Sequence, residues 1–104
     1  MKMMTKAIEK QIPKLYAQDG KGYEAIVYVK YFDPWSGSTW FGTEYDPSEK
    51  LFFGWICLNG DLQCAEFGCF SLNEMESPRR IERDMYFKPC TLREAIKDKY
   101  DYNV

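Results

Sequence analysis

The clearest pattern in the chain is the run from Ala25 to Phe32, AIVYVKYF, apolar or aromatic everywhere except Lys30. β-Branched and aromatic side chains in such a run favour a strand. Successive strand residues point to opposite faces, so an apolar set on both predicts a central strand covered on both sides. Ahead of it, Thr5 is a candidate N-cap for a helix with Ile8 and Ile12 on one face, followed by Leu15 and Tyr16. Pro13 should end that helix near Ile12, because its ring clashes with the preceding turn. Asp19 to Gly22 reads as loop, and Asp33 to Ser38 as a turn.

Thr39 to Tyr45 predicts a second strand, Asp46-Pro47-Ser48 a break, and Leu51 to Cys57 a third strand. Asn59-Gly60 is a strong hairpin signal, since both central residues of a type I′ turn need positive φ. A fourth strand is expected from about Leu62 to Phe70. Ser71 with Glu74 forms a capping box for a short helix through Met75, and Thr91 with Glu94 a second one for a C-terminal helix to about Lys99. Glu82 to Phe87 is the fifth strand between them. The expected class is α+β: a mostly antiparallel sheet of about five strands with N-terminal, short middle and C-terminal helices gathered on one side.

At 104 residues the chain suits a single domain over residues 1–104. Its 8 Tyr, 7 Phe and 3 Trp favour a core of large rings, each burying ~150–250 Å². No apolar run reaches the ~20 residues of a membrane span, and no signal-peptide pattern opens the chain, so it reads as cytoplasmic with reduced thiols.

Histidine is absent, which removes the commonest general base and metal ligand at neutral pH. Four cysteines remain: Cys57, Cys64, Cys69 and Cys90. Without imidazole they form an all-thiolate zinc site, disulfides, or apolar filling. No C-x-x-C knuckle is present. A tight turn at Asn59-Gly60 would nevertheless put Cys57 opposite Leu62 and diagonal to Cys64, about 5–7 Å away. Cys69 would join only through a bulge, for which Gly68 is the candidate, and Cys90 would approach the same end of the sheet. A structural zinc on these four is the expectation, beside the alternative of buried thiols.

Between Glu44 and Glu76 stand seven acids (Glu44, Asp46, Glu49, Asp61, Glu66, Glu74, Glu76) and one base, Lys50. Such a surface repels phosphate backbones and attracts basic proteins, although a plain solvated face has the same composition. Glu44 with Asp46, and Glu82 with Asp84, would each share a strand face and hold Mg²⁺, but neither pair sits in a nuclease or glycosidase pattern. Tyr28, Tyr31, Trp35, Trp40, Phe41 and Tyr45 would stack nucleic-acid bases if exposed, beside Arg79, Arg80 and Arg83; buried, they are core.

Several runs taken in order resemble one family, the small proteins of domain of unknown function 2958. They are TKAIEKQIPKLY (Thr5–Tyr16), YVKYF (Tyr28–Phe32), TWFGTEYD (Thr39–Asp46), LFFG (Leu51–Gly54), FSLNEME (Phe70–Glu76) and IERDMYFKP (Ile81–Pro89). The chain departs from that pattern in a short stretch between Ser77 and Ile81 and in its cysteines. The resemblance implies no established activity. It implies cargo of phages, plasmids and conjugative elements, some of which encode anti-CRISPR proteins. The expected function is therefore a non-catalytic binding protein with no catalytic residues. Its seven acids would face a basic protein partner, such as the CRISPR effector Cas9, and block nucleic-acid loading without direct nucleic-acid binding. The alternatives are a single-stranded nucleic-acid accessory protein and a metal-dependent hydrolase.

Overall fold

A computed structural model describes residues 1–104. Thr5 caps α1 (Lys6–Gln11), its hydroxyl accepting the Ile8 N–H at 3.1 Å. Ile12 leaves the helix extended, as the residue before a proline must. The apolar run then divides into β1 (Ile26–Val27) and β2 (Val29–Asp33). β3 (Ser38–Asp46), β4 (Leu51–Cys57), β5 (Glu66–Ser71) and α2 (Leu72–Glu76) follow. β6 (Glu82–Arg83), β7 (Cys90–Thr91) and α3 (Leu92–Tyr100) complete the chain. Both capping boxes form, Ser71 with Glu74 and Thr91 with Glu94.

The class is α+β: a five-stranded antiparallel sheet in the order β5-β4-β3-β2-β6, with β1 and β7 pairing separately. β3 is central and buried from Ser38 to Tyr45. On one face Tyr31, Trp40, Tyr45, Phe52 and Phe70 meet Met3, Ile12, Leu72, Met75 and Ile81. The Phe52 ring lies 4.5 Å from Tyr45 and 4.9 Å from Phe70, which sets the centre of this layer. On the other face Phe41, Trp55 and Cys57 meet Leu92, Ala95 and Ile96 of α3. The helices therefore cover both faces and are not gathered on one side. A central strand buried on both faces requires this, because one layer of helices would leave Phe41 and Trp55 in water.

Three further elements differ from expectation, each for a local reason. Asn59 and Gly60 do take positive φ, 57° and 69°. The chain then continues through two 3₁₀ turns, Leu58–Gly60 and Leu62–Cys64, the second capped by the Asp61 carboxylate accepting the Gln63 N–H. β5 consequently starts at Glu66, opposite Ile56. The fifth strand is only two residues long, since Asp84 accepts the Tyr86 N–H and turns the chain away. The bulge falls between Gly42 and Glu44, while Gly68 stays in register with Gly54. At Gly54 the backbones approach so closely that a Cβ would lie 1.8 Å from the Phe41 carbonyl oxygen.

Candidate functional site

The bulge in β3 decides the fate of the first acidic candidate. Glu44 lies in the interior, 4% exposed, where one carboxylate oxygen accepts the Tyr16 N–H and the other the Gln18 N–H, both at 2.8 Å. The Gln18 side chain extends the clamp. Its Nε2 donates to the carbonyls of Ile26 and Thr43, and its Oε1 accepts the Ile26 N–H. Glu44 thus fastens the loop after α1 to the sheet and offers nothing to a partner. Asp46 is half-buried, with Oδ1 accepting the Ser48 N–H and hydroxyl. These two carboxylates already serve the backbone around them. Asp84, of the second pair, faces Lys30 at 3.5 Å.

The other acids separate along the sheet. Register places Asp46 opposite Leu51 and Leu51 opposite Ser71, so Asp46, Glu49, Glu74 and Glu76 gather at one end. Tyr45 senses that end: burial raises its pKa first, and the charges of Glu9, Glu76 and Asp46 raise it further. Asp61 and Glu66 lie at the opposite end, beyond Cys57 and Ile56. The seven acids therefore form no single face. Four share one end, two the other, and one is core.

The cysteines are also dispersed. Cys57 is fully buried opposite Thr39, among the side chains beneath α3. Cys64 is exposed in a 3₁₀ turn, its thiol pKa raised by the hydrogen bond and charge of Asp61. Cys69 is exposed opposite Phe53, and Cys90 is half-buried opposite Val27, its pKa raised by burial. The face shared by Cys57 and Cys64 does not form, because Leu62 lies in a turn and Thr39 takes the place across from Cys57. No group of three or more Cys, Asp or Glu is arranged to hold a metal ion.

Of the rings considered for base stacking, Tyr31, Trp40, Phe41 and Tyr45 are buried and Tyr28 is half-buried. Trp35 alone projects, 85% exposed, at the rim of a cavity of about 800 Å³ that Lys2, Arg79 and Arg80 also line. Arg80 is held by Asp33 at 2.8 Å. Burial disfavours the Asp33 anion, but Arg80 and the N–H groups of Trp35 and Ser36 outweigh it and keep the carboxyl below its ordinary range.

One feature was not foreseen. On the α3 side of the sheet, next to β5, a groove of about 380 Å³ is lined by Tyr16, Asp19, Glu44, Phe53, Phe67 and Cys69. Phe53 and Phe67 stack at 6.4 Å and 11°. The signal lay in the alternation of Phe67 and Cys69 along the strand; Tyr23 packs on Phe67 at 5.3 Å and the loop after α1 forms the opposite wall.

A family model described as "Protein of unknown function (DUF2958)" matches residues 3–95. No curated protein and no solved structure matches the chain.

Proposed function

The chain belongs to the DUF2958 family, and from that footing we propose that it is a non-catalytic binding protein of a bacterial mobile element. It acts by presenting negative potential to a basic protein partner. The observation that supports this is the gathering of Asp46, Glu49, Glu74 and Glu76 at one end of the sheet. Lys50 is the one base in the sequence between Glu44 and Glu76. A rigid acidic end of this kind competes with phosphate for a nucleic-acid channel and speeds encounter with it. The partner class that fits is a CRISPR effector such as Cas9, inhibited by obstruction of nucleic-acid loading. Glu44 and Asp84 being committed to backbone and lysine partners supports a binding role over a hydrolytic one.

The test is a mixing experiment with purified effector, following complex formation by sedimentation and guide loading by gel shift. The expected result is a complex that prevents loading and is weakened by Glu49→Lys with Glu76→Lys, two exposed side chains free of hydrogen bonds. No complex with any basic effector, or turnover of a substrate lost on a single substitution, would overturn the proposal.

A second reading rests on Trp35 and the Lys2 and Arg79 side chains around its cavity, a stacking ring beside cations, although Glu76 and Glu82 line the cavity too and Asp33 holds Arg80. Tight binding of a single-stranded oligonucleotide, lost on Trp35→Ala, would favour it.

A further inference from the structure

Sheet edges are normally defended by lysine, proline, bulges or covering segments, because an unpaired row of N–H and C=O groups invites another strand. The two edges of this sheet differ in that respect. At β6 the strand is two residues long, and Arg83 donates from Nε to the Lys2 carbonyl and from its backbone N–H to the Met1 sulfur, so the N-terminal segment covers it. β5 is six residues long, EFGCFS, without proline, lysine or arginine, and pairs with β4 without a break from Ser71 to Glu66. Phe67 is 38% exposed and Cys69 is exposed, and both open onto the 380 Å³ groove. This is an edge with an apolar strip beside it, where Tyr23 already packs on Phe67 at 5.3 Å, and its one charged residue, exposed Glu66, is negative.

Charge selects the occupant. Asp61 and Glu66 flank the start of β5, Glu74 and Glu76 follow its end, and no Lys or Arg occurs from Leu51 to Pro78. A second copy pairing antiparallel about Gly68 would set Glu66 of one chain opposite Phe70 of the other, so the end of each copy that carries Asp61 and Glu66 would meet the end of the other that carries Glu74 and Glu76, like charge against like. We propose that the β5 edge instead receives an extended basic segment of the partner protein as an added strand. Its apolar side chains would lie over Phe67 and Cys69, with its lysines or arginines beside the acids at each end. Main-chain hydrogen bonds would supply affinity, and the groove and charges would supply selectivity. The basic character of the partner rests on the proposed function, whereas the edge geometry stands without it.

The probe is a short peptide of alternating valine and threonine flanked by lysines, titrated into the ¹⁵N-labelled full chain, with a glutamate-flanked peptide for comparison. The expected result is amide shifts confined to Glu66–Ser71 and their β4 neighbours. Affinity should be about tenfold higher for the lysine-flanked peptide. Phe67→Lys with Cys69→Lys should remove that binding, and Phe67→Thr, which adds no charge, should weaken it. Shifts at Asp46 and Glu49 with β5 unmoved would overturn the edge site while leaving the acidic-end reading intact. Equal binding of both peptides, or no binding, would overturn the proposal outright. Self-association of the free chain that Phe67→Lys abolishes would assign the edge to a second copy instead. A chain that binds the lysine-flanked peptide at β5 but forms no complex with basic effectors would keep the edge and remove the proposed function.

Discussion

Two backbone N–H groups, those of Tyr16 and Gln18, depend on the buried carboxylate of Glu44, and Gln18 is itself buried away from water. Glu44→Gln keeps the shape but turns one acceptor into a donor facing a donor. Urea unfolding should show a loss of about 1–3 kcal/mol. Asp33 offers a test by pH. Its folded carboxyl titrates below the ordinary 3.8, so as acid passes that value the unfolded chain takes up the proton first and the native state loses stability. Asp33→Asn should flatten that acid limb, read as Tm against pH between neutrality and pH ~3. The thiols give a third check. A thiol reagent should modify Cys64 and Cys69 in the native protein, Cys90 more slowly, and Cys57 only on unfolding. At this scale the caps were legible because Thr5, Ser71 and Thr91 meet their partners three residues away. Glu44 was not, because its partner Tyr16 is 28 residues distant and a bulge turns it inward.

Elements declared by local chemistry formed as the pattern predicts. The proline after Ile12 ends α1, the capping boxes open α2 and α3, and the apolar runs form β3 and β4. Those that depend on distant pairing did not announce themselves. β7 exists because Cys90 and Thr91 find Val27 and Ile26, and the turn at Leu62–Cys64 displaces the start of β5. β3 and β4 approach most closely where Gly54 pairs with Gly42. Gly54→Ala would drive a methyl group into the Phe41 carbonyl, and the sheet must shift at a cost of about 3 kcal/mol. Thermal melting should show the loss, with Gly68→Ala, whose Cβ would meet only the Ile56 side chain at 3.6 Å, as the mild comparison.

For the molecule as a whole, net charge is −2, and its placement matters more than its size. A count along the chain makes seven acids look like one surface. Folding sends Glu44 to the interior, divides the remainder between two ends of the sheet, and leaves β5 between them as an apolar edge. Family and fold class were therefore legible in the residues, whereas the shape of the binding surface was not, because it depends on register and on which strand stands last. Recognition by negative potential is tested most directly by the dissociation constant of the effector complex at low and at physiological ionic strength. The native chain should bind about tenfold more weakly at the higher salt, and Glu49→Lys with Glu76→Lys should bind weakly at both. An affinity indifferent to salt and to both substitutions would contradict the account.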